Sequence, residues 1–364
     1  MMATMEDQYA PCRLCPRNCA VDRTAGRRGY CGETAGLRIA TASIHKGEEP
    51  PITGKGGSGT IFVTGCTLRC AFCQNHQISQ AGMGTVVDTP GFSRICLELQ
   101  AAGAENINIV TGSHAVPAIV RGLLDARDKG LRIPALWNSS AYESVRAIES
   151  VSPCMDAYLP DLKTLDPKLS AAFFKAPDYP EAASAAILRM AALSPLRFGP
   201  SQRIGADPAD PGEVLLSGVV VRHLVLPGYL ESTRNVLRWF ADHCAGRALL
   251  SLMLQYTPVE GPAPRASAAC GAARRDAERG DAEGSDAAPG PGVPQRFVNQ
   301  KEMDTVLLWL EEFGIEDGFY QELVPDTEWL PDFNRENPFS SDLSVPVWHW
   351  KRGFIRGTMG SRPI

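Results

Sequence analysis

Short apolar runs rich in β-branched residues recur along the chain at 59–64, 106–110, 133–137, 156–159, 219–226 and 248–254. Each is bounded by glycine, proline or polar residues, the pattern of buried strands. Between them, longer amphipathic stretches predict helices over 92–102, 115–129, 142–150, 180–192 and 232–244. A last helix is predicted over 299–313, where Met303, Val306, Leu307 and Leu310 repeat at i, i+3, i+4 and i+7. Strands alternating with helices build an α/β fold with a parallel sheet. Six such units suit a partial (βα)6 barrel of TIM type better than a closed eight-fold one. In that architecture chemistry gathers on loops at the C-terminal strand ends.

Two stretches break the pattern. Residues 261–294 hold ten alanines, six glycines and five prolines with almost no apolar bulk, too little to offset their own ordering entropy, so a disordered insertion is expected. Residues 196–212 repeat Asp, Pro and Gly and are expected to form a loose surface loop. The resulting division is a Cys-rich N-terminal segment (1–45), a core (46–333) carrying both insertions, and a C-terminal tail (334–364).

Composition narrows the class. The chain has 364 residues, 44% hydrophobic and 21% charged, enough for a sizeable core. Its net charge is -5 and no Lys/Arg block stands out, so neither nucleic acid nor an anionic membrane is expected as a partner. No apolar run approaches the roughly 20 residues of a membrane span. The first residues lack the basic and apolar regions of an export signal. A soluble, cytoplasmic protein is expected, and there clustered cysteines more often mean metal than disulfide.

The chain has eleven cysteines. Cys96, Cys154, Cys244 and Cys270 are scattered and read as small core hydrophobes. Cys66, Cys70 and Cys73 form C-x3-C-x2-C just after the strand predicted at 59–64. Three thiolates at that spacing can hold three irons of a [4Fe-4S] cluster and leave the fourth iron for a ligand that is not protein. Zinc is the alternative, with His76 as the fourth ligand. Cys12, Cys15, Cys19 and Cys31 can close a second tetrahedral site, either structural zinc or an auxiliary cluster. The glycine-rich stretch 54–60 lacks the order G-x4-G-K-[ST] and precedes a strand, so it is not a phosphate loop.

The segment Gly65-Cys66-Thr67-Leu68-Arg69-Cys70-Ala71-Phe72-Cys73-Gln74-Asn75 resembles the signature loop of radical S-adenosylmethionine (SAM) enzymes. With Gly47-Glu48-Glu49-Pro50-Pro51, Asn106-Ile107-Asn108, Leu159-Pro160-Asp161-Leu162-Lys163, the segment 222–228 and Gly318-Phe319-Tyr320-Gln321-Glu322, it resembles one branch of that superfamily. This branch comprises uncharacterised homologues of the pyruvate formate-lyase activating enzyme. The resemblance implies an oxidoreductase-type iron-sulfur enzyme in which SAM chelates the open iron and is reductively cleaved to methionine and a 5'-deoxyadenosyl radical. It also implies an external electron donor such as flavodoxin or ferredoxin, and a protein or peptide substrate such as a glycyl-radical enzyme. Cys66, Cys70 and Cys73 would then hold the cluster and Phe72 would lie near the adenine. Relatives carry a Gly-Gly-Glu platform for the SAM amino group where this chain has Thr111-Gly112-Ser113-His114, so Ser113 replaces a glycine and His114 the carboxylate. Asn138, Asp161 and Lys163 stand at strand ends where they can hold ribose or carboxylate.

Simpler readings stand beside these. His114 can cap the following helix, Asp161 and Lys163 can form a plain ion pair, and His223 can be a hydrogen-bonded core residue. Glu48 and Glu49 can be solvated loop charges rather than catalytic ones. A non-catalytic iron-sulfur or zinc protein, serving electron transfer or assembly, is the rival class. A carrier would call for a closed cluster rather than an open three-cysteine loop.

Overall fold

The computed structural model describes residues 8–259, 291–323, 327, 330–340 and 342–355. Seven parallel strands form the body of one sheet: β2 (Ser58–Val63), β4 (Ile107–Val110), β5 (Ala135–Ser139), β6 (Ala157–Pro160), β8 (Glu213–Leu224), β9 (Leu249–Met253) and β10 (Gly318–Tyr320), side by side in that order. The six predicted strands are the first six of these, and the short β10 extends the edge. Predicted helices correspond to α3 (Thr89–Ala101), α4 (Val116–Asp128), α5 (Val145–Val151), α7 (Tyr179–Leu193), α8 (Leu230–His243) and α9 (Gln300–Glu312). Helices α1 (Pro50–Thr53), α2 (His76–Ser79) and α6 (Pro167–Phe174) are additional.

Both sheet faces are covered, which explains why the strands read as near-continuous apolar runs. Side chains alternate between faces along a strand. Trp137, Tyr158, Val219 and Val221 pack into the large core with helix residues such as Ile119, Ile187 and Phe240. Their neighbours Leu136, Leu159, Val220 and Leu249 meet Ile52 of α1 in a separate cluster on the other face.

The boundaries of the expected segments move. Strand β1 (Leu37–His45) lies inside the 1–45 segment yet pairs antiparallel with β2 and with β3 (Thr85–Val87). The expected tail contributes β11 (Ser344–His349) and β12 (Gly353–Phe354), with β11 antiparallel to β1. Neither end is therefore an appendage, because each supplies backbone partners to the sheet. The 196–212 stretch is not a plain loop either. It contains β7 (Arg197–Pro200), which forms a ladder with the first half of β8. Gly218, at φ +134, marks where β8 passes from β7 to its parallel neighbours, and a Cβ there would meet the Leu196 side chain at 2.7 Å. The 261–294 insertion lies mostly outside the described residues. Among them no helix is long and apolar enough to cross a membrane.

Candidate metal centre

Two residues beyond β2 stands Gly65, whose φ of +92 favours glycine, and a Cβ there would press on the Cys31 carbonyl and the His114 ring. The chain then loops through Cys66, Cys70 and Cys73, the first two buried and the third partly so. Arg69 takes a left-handed conformation (φ +59), and its N–H and that of Leu68 are both directed at Cys66 Sγ at 3.4 Å each. Cys73 Sγ lies 3.3 Å from Ser79 Oγ. Burial pushes the Cys70 thiol up and the Cys73 thiol up to about 11, against the pull of the nearby Lys163 ammonium. Bound iron reverses that balance by favouring thiolate. The donor set of three thiols, two buried and one partly so, with N–H groups already directed at one sulfur, fits a cluster.

The parallel sheet carries the other predicted groups to the same end. Thr111 to His114 follow β4. Thr111 has φ +64, and Gly112 sits so close to Trp137 and Ile119 that a Cβ would meet them at 2.7 and 2.8 Å. Ser113 bonds the buried carboxyl of Glu143, which also accepts from Trp137 Nε1 at 2.8 Å and Ser139 Oγ at 2.7 Å. Burial raises the Glu143 pKa, offset by these donors. Asn138 is the penultimate residue of β5, partly exposed. Beyond β6, Lys163 Nζ holds Asp161 Oδ2 at 2.7 Å, with both side chains partly accessible. The two thus form an ion pair, and Lys163 also lies within electrostatic reach of Cys70. Phe72 is buried edge-on to Phe173, Phe174 and Tyr256, with centroids 5.8 to 6.0 Å away.

His114 does not cap α4. Its side chain is buried and bonded to the Thr64 backbone, and the cap residue Ala115 has no side-chain bond. Burial first, and Arg23 second, depress its pKa to about 3, so the ring is neutral. His223 is the core residue expected, with Nδ1 2.7 Å from the Leu162 carbonyl and Nε2 3.0 Å from Thr233 Oγ1. Glu48 and Glu49 are not solvated charges. Both grip the buried Arg222 guanidinium, Glu48 at 2.5 Å, and Asn108 Nδ2 adds a bond to Glu48 at 3.1 Å.

The N-terminal thiols gather against this loop. Cys12 and Cys19 share a thiol hydrogen bond, which lowers Cys19 to about 5 and raises Cys12. Burial pushes Cys15 up to about 12 and raises Cys31, each close to another thiol of the set. Arg23 ties the set to the segment after β4: it donates to the carbonyls of Glu33 at 3.1 Å and His114 at 2.6 Å and lies 3.7 Å from Cys12 Sγ. The Cys66 N–H donates to the Cys31 carbonyl at 3.3 Å. None of the ten described cysteines forms a disulfide. Among the described residues no three His, Cys, Asp or Glu side chains close on one ion-sized point. Cys96, Cys154 and Cys244 are buried in the core, and Cys270 lies outside the described residues.

Sequence reasoning missed Glu143 and Arg23. Their work is bonding to backbone and to residues far along the chain, which no spacing pattern records.

Residues 52–152 match a family described as a 4Fe-4S single cluster domain, a span that includes Cys66, Cys70, Cys73 and the strand ends through Asn138. An uncharacterized protein of Methanocaldococcus jannaschii, MJ0674, is 25% identical over 258 residues, 69% of this chain and 67% of its own length. Among solved structures, SuiB of Streptococcus suis bound to S-adenosylmethionine is 11% identical (TM-score 0.46), covering 71% of this chain and 48% of its own. The chain thus spans about half the length of SuiB. A radical SAM methyltransferase from Sphaerobacter thermophilus is 15% identical (TM-score 0.44), covering 72% and 66%. A domain of a pyruvate-formate lyase-activating enzyme from Bacteroides vulgatus is 12% identical (TM-score 0.33), covering 56% and 89%.

Proposed function

We propose that this chain is a radical SAM iron-sulfur enzyme on a partial (βα)6 barrel. The observation that carries the reading is the loop of Cys66, Cys70 and Cys73 at the C-terminal end of β2, faced by the strand ends of β4, β5 and β6. The match of this region to a 4Fe-4S single cluster domain supports it. When bound, the cluster supplies the electron that splits SAM into methionine and a 5'-deoxyadenosyl radical.

The chain's own residues bind and orient. Cys66, Cys70 and Cys73 hold three irons. The backbone of Gly112 and Ser113 offers carbonyl oxygens to the SAM amino group, and Glu143 fixes that backbone from behind through Ser113 and Trp137. Lys163, held by Asp161, places a positive charge beside Cys70 where a carboxylate can rest. Asn138 donates to ribose, and Phe72 lies beside the adenine. His114, neutral and buried, has no carboxylate role and instead supports the end of β2. The N-terminal thiols hold a second metal, zinc or a cluster, and a cluster there would relay electrons from flavodoxin or ferredoxin. The substrate is a protein or peptide, with a glycyl-radical enzyme the specific candidate.

The test is to reconstitute the full chain anaerobically, add dithionite and SAM, and measure 5'-deoxyadenosine by chromatography. Product is expected from the wild type and not from the Cys66→Ala, Cys70→Ala, Cys73→Ala variant. No product above that control would falsify the enzyme reading.

A further inference from the structure

One side chain joins the two thiol sets. Arg17 lies between Cys15 and Cys19 in sequence, and its guanidinium reaches across to the other loop. Nε donates to the Thr67 carbonyl at 3.0 Å and Nη2 to the Leu68 carbonyl at 3.3 Å. Nη2 also donates to the Phe174 carbonyl at 2.7 Å, and Nη1 to that of Lys175. The guanidinium lies 3.9 Å from the centre of the Tyr30 ring.

The first two bonds matter for what stands behind them. Each carbonyl belongs to a peptide unit whose other end is the N–H of the next residue, and in a trans peptide the C=O and N–H bonds point in opposite directions, so that their dipoles reinforce each other. The N–H groups are those of Leu68 and Arg69, and both are directed at Cys66 Sγ at 3.4 Å. Arg17 therefore holds the outer ends of the two peptides whose inner ends hydrogen-bond the first cysteine of the triplet. A cation at the carbonyl end polarises an amide and strengthens the bond its N–H makes.

We propose that Arg17 is a positioning residue that raises the reduction potential of the cluster held by Cys66, Cys70 and Cys73, acting through the Thr67–Leu68 and Leu68–Arg69 peptides. The inference rests on the reading that this triplet holds a cluster. Hydrogen bonds to a ligating sulfur stabilise the more negative, reduced state and so raise the potential. The planar fork of arginine reaches several carbonyls at once, whereas lysine keeps the charge and loses the fork. Glutamine loses both.

The experiment uses the full chain loaded anaerobically, as wild type, Arg17→Lys, Arg17→Gln and, as a charge control, Arg27→Gln at an exposed position of the same segment. Iron content is measured, and the cluster is titrated with dithionite while its electron paramagnetic resonance signal is followed. The relevant signal is the one missing from the Cys66→Ala, Cys70→Ala, Cys73→Ala variant. The expected result is a midpoint shifted to a more negative value in Arg17→Gln, a smaller shift in Arg17→Lys, and none in Arg27→Gln. A wild-type midpoint in Arg17→Gln, or an equal shift in Arg27→Gln, overturns the proposal. Should Arg17→Gln take up no iron, Arg17→Lys decides: a negative shift supports the proposal and a wild-type midpoint overturns it. If the wild type itself loads no cluster on the triplet, the earlier reading falls and this inference with it. A wild type that loads a cluster and cleaves SAM, with unshifted Arg17 variants, removes this inference alone.

Discussion

At residue scale the buried histidines turn structure into pH dependence. His223 sits on β8 with both ring nitrogens engaged, and burial above all, with Lys163 adding to it, depresses its pKa to about 4. The unfolded chain binds that proton near the ordinary value of 6.5. Below this pH the unfolded state therefore takes up more protons than the folded one. The stability associated with a neutral His223 is complete above pH 6.5 and is lost as pH falls toward 4, by on the order of 3 kcal/mol in all. Denaturant unfolding between pH 7 and 4 should show this decline, and His223→Gln, which keeps an amide donor but does not titrate, should flatten it. An equally steep decline in the variant would show that other groups dominate. The cysteine residues were legible at this scale because ligand spacing is local. Arg17, Arg23 and Glu143 were not, because a guanidinium on a carbonyl or a carboxyl behind a turn leaves no mark in neighbouring sequence.

Elements were legible where their stabilisation is local. Helix α9 shows its apolar repeat and its start signal together. Asn299 Oδ1 accepts the Glu302 N–H at 3.0 Å, and the Glu302 carboxylate accepts the Asn299 N–H at 3.1 Å, a reciprocal cap. Glu302 also accepts from Gly228 N–H at 2.9 Å and pairs with Arg296 at 2.6 Å, which together hold its pKa down near 2. Asn299→Ala should cost about 1 kcal/mol in equilibrium unfolding. Glu302→Ala should cost more, since it releases the turn before α8 as well as the cap. Equal losses would mean that the Gly228 bond adds nothing. Strands β1 and β7 escaped the sequence reading for the opposite reason. Each depends on its partners: β1 sits between β2 and β11, the latter some three hundred residues later, and β7 pairs with the front half of β8.

At the scale of the whole molecule the two ends meet in the sheet. Strand β11 covers the outer edge of β1, Thr41 Oγ1 donates to the Trp348 carbonyl at 3.0 Å, and Phe333 packs on Phe62 of β2. Removing residues 342–364 should expose the β1 edge as a template for pairing with other chains. The expected outcome is a lower thermal midpoint and oligomers by size-exclusion chromatography. A monomer with a wild-type midpoint would show that β11 is dispensable.

By itself the sequence determined the parallel βα body, the loop that carries three cysteines, and the second thiol set, because period, turn residues and ligand spacing are properties of short stretches. Only the tertiary structure decided that the leader and the tail belong to the sheet, that Glu48 and Glu49 are spent on Arg222, and that the second thiol set is built onto the first. Those contacts join residues tens to hundreds of positions apart, and they depend on which backbone groups fall within hydrogen-bond reach once the sheet has formed.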